Sequence, residues 1–359
     1  MSSPPAGPGL SGTSSSLSRL RQRHPLATFL AGRVTTMVLM LFLLGLGVFG
    51  LMSLSPGDIV DNYARSLILQ TKIQSTTNTL TDEQIREAKH RLWLDRPFYV
   101  QYAHWLYEVF VQHDLGRSLI SRAPVLYLVG TRMLNSIVLN LIELVFLTLI
   151  SFALGIYFSS KAGTRVDPVV AFVSLFLNAF PGILLLILLQ MFASATGLFP
   201  VTAYPTESFD GNPLGFTFSY LYHIILPLIG AFLGSIGGSL RLIRATMLDQ
   251  LGQPYITALR ARGIPEGRIY FRHAFRNTMN PFITSSSTLL ADLFSGSLFL
   301  EIIFSYPGIG RLMYEAVMQK DINLVLTNIM FISFLILVGM LISDVALALV
   351  DPRIRYSRA

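Results

Sequence analysis

The feature that most constrains this chain is a succession of apolar blocks, each about 20 residues or longer, nearly free of charged side chains. A helix of that length crosses a hydrocarbon core of about 30 Å. Blocks of this kind are read at 29–54, 133–158, 167–196, 221–245, 281–303 and 324–350. Charged residues make up 13% of the 359 residues and hydrophobic ones 52%. A soluble domain carries about 25% charged residues. Too little polar surface is left to cover a water-soluble body. The expected fold is all-α and integral to the membrane, with six transmembrane helices and the lipid bilayer as solvent.

Charge placement sets the expected topology. The net charge is +7 and the isoelectric point about 9.7, but the basic residues sit beside apolar runs. That pattern signals orientation and headgroup contact rather than nucleic acid. Arg19, Arg21, Arg23 and Arg33 cluster at the start of the first block. Lys161 and Arg165 lie between the second and third, Arg260, Arg262, Arg268, Arg272 and Arg276 between the fourth and fifth, and Arg353, Arg355 and Arg358 in the tail. The connection 197–220 has Glu207 and Asp210 but no Lys or Arg. With six spans, both termini fall in the cytoplasm.

Residues 1–28 read as a disordered cytoplasmic tail, rich in Ser, Gly and Pro at its start and without a cleavage site. A first span covers 29–54, and 55–130 is a polar extracytoplasmic insertion with helical segments. Thr81-Asp82-Glu83-Gln84 has the form of a capping box for a short helix to about Trp93. Pro97 suits the first turn of a second helix to about Val111, on which Phe98, Tyr102 and Trp105 form an apolar stripe. The five-span core covers 131–350, and 351–359 is a short cytoplasmic tail. Pro181, Pro227 and Pro281 fall in or at spans, where membrane helices tolerate kinks.

The segment 253–277 is the most informative. Tyr255 to Arg262 predicts a short helix, Gly263 stands where a left-handed cap is needed, and Pro265 redirects the chain into a second helix. Arg268, Arg272 and Arg276 recur every four residues. A helix–glycine elbow–helix held between two spans is a lever that another protein can grip. Spacing alone equally allows an interfacial amphipathic helix with no partner.

Tyr255-Ile-Thr-Ala-Leu-Arg-Ala-Arg-Gly263 and Arg272-His-Ala-Phe-Arg-Asn277 closely resemble the "EAA" loop of binding-protein-dependent ABC importer permeases, in the peptide/nickel branch. Ser55-Pro-Gly-Asp58, Leu94-Asp-Arg-Pro97, Asp114-Leu-Gly-Arg-Ser118, Tyr306-Pro-Gly-Ile-Gly-Arg311 and Asp351-Pro-Arg-Ile-Arg355 match further segments of that family in order. The resemblance implies a cytoplasmic coupling helix of the type I importer kind, with Thr257, Ala258 and Leu259 at the EAA positions and Gly263 at its glycine. Thr257 replaces the usual acidic residue. The residues expected to meet the ATPase are Tyr255, Thr257, Ala258, Leu259, Arg262, Gly263, Ile264 and Glu266. The resemblance also implies a second, homologous permease subunit, two ATP-binding subunits or domains, an extracytoplasmic solute-binding protein, and a bacterial-type inner membrane. The solute is expected to be a di- or oligopeptide, with nickel or another small solute as the alternative.

No Gly-Lys dipeptide occurs, so the chain has no phosphate-cradling Walker A loop. It is not expected to be an enzyme or to hold a cofactor; ATP and Mg²⁺ belong to partners. Cysteine is absent, and the histidine spacing suggests no metal site. Glu143, Asp292 and Asp344 fall inside spans, where a carboxylate is costly unless it faces a cavity or a partner. Glu143 and Asp292 are candidates for the substrate path, with a helix–helix interface as the other reading of Glu143. Asp344, Asn178 and Gln190 read as structural. An ion-coupled carrier would call for internal repeats, and a membrane enzyme for a nucleophile–base pair or metal ligands; neither pattern is present.

Overall fold

The computed structural model describes residues 25–54, 95–119, 121–206, 211–279 and 297–350, with isolated residues between them and without the side chains of 25–29 and 343–350. In chain order the elements are α1 (Pro25–Leu54), α2 (Phe98–Tyr107, continued by one wide π turn, Glu108–Gln112), α3 (Val125–Ser159), α4 (Val166–Ala179) and α5 (Gly182–Thr196). Then come α6 (Pro213–Leu251), α7 (Pro254–Ala261) and α8, a composite of Glu266–Arg268, a π turn Ile269–Ala274 and Phe275–Thr278. The last are α9 (Leu298–Ile303), α10 (Ile309–Gln319) and α11 (Ile322–Val350). Among the described residues extended pairing is limited to one bridge, Arg117 with Pro124.

Leu30–Met52, Val125–Ser159, Pro213–Leu251 and Ile322–Ile342 are each long and apolar enough to cross a membrane. The block read as one span at 167–196 is broken. α4 and α5 meet at 90°. The cause is local: Pro181 lacks an N–H, and a residue before proline is driven out of helical geometry. Phe180 accordingly stands at φ −74° and ψ 131°. Pro227 breaks nothing; it lies buried within the continuous α6. The block at 281–303 falls largely outside the described residues, and so do Asp292, the Thr81–Gln84 box, residues 1–24 and 351–359, and the side chain of Asp344.

Two helices run past the apolar blocks that announced them. α3 starts at Val125 rather than 133, inside the stretch assigned to the insertion, and α6 spans Pro213–Leu251 rather than 221–245. Hydropathy marks the lipid-buried part of a helix, whereas its ends are fixed by caps. At α6 the Asn212 side chain accepts the Gly215 N–H at 3.0 Å, with Pro213 in the first turn.

α6 is the central post, packed on α3 and α4. Lipid is as apolar as leucine, so helices in a membrane associate through close packing at small residues. A Cβ on Gly237 of α6 would run into the Ser174 carbonyl of α4, one on Gly155 of α3 into Ile243, and one on Gly230 would come within 2.6 Å of Leu186. On the other side α1 packs against α2 and α11. Tyr102 of α2 fills the niche left by Gly45 and donates to the Phe42 carbonyl at 3.1 Å. Tyr102 and Trp105 are buried with Phe49, Ile322 and Leu326, while Phe98 of the same stripe stays exposed.

Gly237→Val meets backbone, which cannot swing aside. Overpacking of this kind costs about 1–3 kcal/mol, so the purified protein is expected to melt several degrees lower. Gly234→Ala, where no atom stands within 4 Å, is expected to leave the midpoint unchanged or slightly raised.

Candidate functional site

The elbow is built as a Schellman motif. α7 ends at Ala261, Arg262 caps it, and Gly263 turns left-handed at φ +71°. The Gly263 N–H bonds the Arg260 carbonyl at 2.9 Å and the Ile264 N–H bonds that of Leu259 at 3.3 Å. These are the two closing bonds of the motif, and Leu259 and Ile264 supply the apolar contact that goes with it. Pro254 opens α7 and Pro265 caps α8.

What lies underneath fixes the elbow to the bundle. Ile256, Ile269 and Ala274 are fully buried with Met247 of α6 and Ile156 of α3, and Tyr255, Leu259, Ile264, Tyr270 and Phe275 pack around them. The Asn277 amide donates to the Tyr255 hydroxyl at 3.1 Å, which donates to Gln250 at 3.2 Å. The buried positions of α8 are Ile269, Ala274 and Thr278. The first step is five residues, which does not fit an α-helix; the π turn supplies the extra residue that keeps all three on one face.

The eight residues expected to meet a partner therefore divide. Thr257, Ala258, Arg262, Gly263 and Glu266 are exposed on the outer face, whereas Tyr255, Leu259 and Ile264 are half-buried and face the bundle. Arg268, Arg272 and Arg276 extend the exposed face. Arg260, which the sequence pattern did not single out, clasps Glu266 across the glycine at 2.8 and 3.3 Å. That hydrogen-bonded pair lowers the Glu266 pKa and raises that of Arg260.

At the opposite end a second constellation joins the helices. Glu301 of α9 is fully buried. Its carboxylate accepts the Ser136 hydroxyl at 2.6 Å, the Arg311 N–H at 2.8 Å and the Gly310 N–H, while the Ser136 oxygen accepts the Ile309 N–H at 2.8 Å. A charge at the start of α10 meets free N–H groups and the positive end of the helix dipole. A Cβ at Gly308 would enter the carboxylate, and one at Gly310 would approach it to 3.0 Å. Tyr306 donates to the Asn135 carbonyl at 2.7 Å and lies 3.0 Å from the Tyr220 hydroxyl of α6. Gln190 of α5 donates to the Ile303 carbonyl. The Tyr306–Arg311 motif thus wraps a buried acid. The Gly308 and Gly310 spacing seven and nine residues after Glu301 was the available signal. Beside it, Ser118 of the Asp114–Ser118 segment donates to Asp321 at 2.5 Å, and Asp321 caps α11 through the Leu324 N–H at 3.2 Å.

Glu143 belongs to neither constellation. It is half-buried near the middle of α3, between Leu139 of one core cluster and Leu147 of another, and among the described residues it makes no hydrogen bond or ion pair. Asn178 is exposed, its amide oxygen beside Gly238. At the elbow end Arg244 of α6 pairs with Asp167 of α4, which also accepts the Gly163 N–H at 2.9 Å.

Residues 151–356 match the family described as the binding-protein-dependent transport system inner membrane component, and residues 26–153 match its N-terminal membrane component. The chain belongs to this family. Among similar proteins, the oligopeptide transport system permease protein AppB of Bacillus subtilis is 32% identical over 88% of this chain and 95% of its own length. The inner membrane ABC transporter permease protein YejB of Escherichia coli O157:H7 is 32% identical over 77% of each chain. The di/tripeptide transport system permease protein DppB of Pseudomonas aeruginosa is 30% identical over 92% of this chain and 99% of its own. The elbow and Glu301 lie within 151–356, and the Ser136 and Asn135 partners of the Glu301 constellation within 26–153.

Glu301→Ala would leave the Ser136 hydroxyl and the backbone N–H groups of Arg311, Gly310 and Ser297 without this acceptor, each buried one costing about 1–3 kcal/mol. Loss of the folded protein from membranes, or a steep fall in melting temperature, is expected for Glu301→Ala. Glu301→Gln, which keeps the shape and one carbonyl acceptor, is expected to lose less. Fluorescence-detected gel filtration of the solubilised variants separates the two.

Proposed function

We propose that this family member is the permease subunit of an ATP-driven ABC importer of di- or oligopeptides and forms half of its translocation pathway. The names of its relatives support the solute class, and the elbow supports the mode of drive. With both termini cytoplasmic the elbow faces the cytosol, where a separate ATP-binding subunit grips the exposed Thr257, Ala258, Arg262 and Glu266. ATP and Mg²⁺ act on that partner, of which the complex holds two. A second, homologous permease subunit completes the pathway, and an extracytoplasmic binding protein delivers the solute at the Glu301 end. The observation that carries this reading is the burial of Ile256 and Ile269 against Met247 and Ile156 beneath an exposed face. Displacing that face moves α3 and α6, and the pathway alternates between its two openings.

The coupling role is tested at Gly263. A left-handed residue other than Gly costs about 1–2 kcal/mol, and Asn tolerates the conformation best. No atom lies within 4 Å of a Cβ there, so the effect comes from the backbone alone. In the assembled complex Gly263→Leu is expected to abolish peptide-stimulated ATP hydrolysis and uptake, and Gly263→Asn to retain most of both. Normal uptake by Gly263→Leu in an intact complex rejects the reading.

Glu143 is proposed to line the path and meet the peptide amine. A hydrogen bond to a charged group is worth about 1.5–3 kcal/mol. Glu143→Gln is therefore expected to reduce uptake of peptides with a free amino terminus roughly tenfold or more, and to spare their N-acetylated forms. Equal effects on both, measured as KM for uptake, dismiss that assignment.

A further inference from the structure

A groove runs between α4 and α6 at the elbow end, beside the inner part of α3. Its volume is about 390 Å³, and its wall includes Leu154, Phe158, Val170, Leu177, Phe232 and Leu240. It follows α4 from Val166 to Leu177, about 16 Å at 1.5 Å per residue. One leaflet of a hydrocarbon core is about 15 Å deep. The groove has about the length of one acyl chain.

Its mouth is cationic. The connection from α3 to α4 carries Lys161 and Arg165, both exposed, next to the wall residues Phe158 and Val166. The Lys161 ammonium rests 5.9 Å from the Tyr157 ring centroid. Asp167, the acidic side chain of this mouth, is engaged by Arg244 and so does not neutralise Lys161 and Arg165. An apolar slot of leaflet depth under two free cations complements a molecule with a hydrocarbon tail and an anionic head.

We propose that this groove is a binding site for one anionic phospholipid, with an acyl chain between α4 and α6 and the phosphate held by Lys161 and Arg165. Such a lipid fills the space beside the Gly237–Ser174 crossing, where α4 and α6 leave no room for a Cβ. It acts as a wedge that sets how far the elbow end of α4 swings from α6. The site stands independently of the solute and of the coupling role of the elbow.

The test uses the assembled transporter in nanodiscs of phosphatidylcholine containing a minority of phosphatidylglycerol, with native mass spectrometry as the readout. Each basic group near a membrane surface favours an anionic lipid several-fold, so two predict enrichment of one retained phosphatidylglycerol on the order of tenfold. Lys161→Gln with Arg165→Gln is expected to erase that preference. Val173→Trp, placed on an exposed wall position, is expected to expel the lipid while the complex and its melting temperature stay intact. Enrichment unchanged in the charge variant, or a lipid retained by Val173→Trp, overturns the proposal. So does a photo-crosslinker on Val173→Cys, in a chain otherwise free of cysteine, that labels the second permease subunit instead of lipid.

Discussion

The burial of Ile256 and Ile269 beneath the elbow governs what the remaining helices can do. Inside a bilayer, contact between apolar helices gains nothing from water exclusion, because lipid is equally apolar. The elbow stands where the chain leaves lipid, and there the hydrophobic term operates in full, about 1.5–3 kcal/mol for each fully buried aliphatic side chain. Ile256 and Ile269, clamped on Met247 and Ile156, join α7 and α8 to α6 and α3 at the position where a lever needs a stiff root. The Gln250–Tyr255–Asn277 chain adds direction to that joint. Under the proposed coupling role, a loose attachment would absorb a partner's movement in the loop, whereas this one would pass it to the two long helices.

The same helices are tied again at the far end, by a different force. Glu301 satisfies N–H groups at the start of α10 that no hydrocarbon side chain could satisfy. Through Ser136, Asn135, Tyr220 and Gln190 the knot gathers α3, α6, α5 and the α9–α10 turn. α5 is thus bound at the knot end through Gln190, and α4 at the elbow end through Asp167 and Arg244. The 90° break at Phe180 and Pro181 falls between these two anchorages.

Apolar run length foretold α1, α3, α6 and α11, since lipid leaves a helix no other solution. Gly263 was legible for a similar reason: a helix stop followed by Ile and Pro needs a left-handed residue there, and φ is +71°. Pro181 and Pro227 look alike in the sequence, yet only one breaks the chain; Pro227 lies buried beside Leu226 within the continuous α6, and periodicity does not carry that difference. The eight elbow residues read as a single surface. The resemblance that named them does not say which side of α7 each occupies; Tyr255, Ile256 and Leu259 fall on one side of that helix and, with Ile264, become the underside. Glu301 meets a serine 165 residues away, a pairing that no local pattern encodes.

Both ends of α3 are held, at the elbow through Ile156 and at the knot through Ser136, and its middle lies between them. Glu143 stands there, between Leu139, which packs towards the knot, and Leu147, which packs towards the α4–α6 core. A carboxylate at this depth is tolerated only beside water, a partner or a cavity. Among the described residues it has no partner, and part of it remains open. A side chain locked into a salt bridge would have to break that bond on every stroke. For the role proposed for Glu143, an unpaired carboxylate at the seam between two clusters has no such bond to lose.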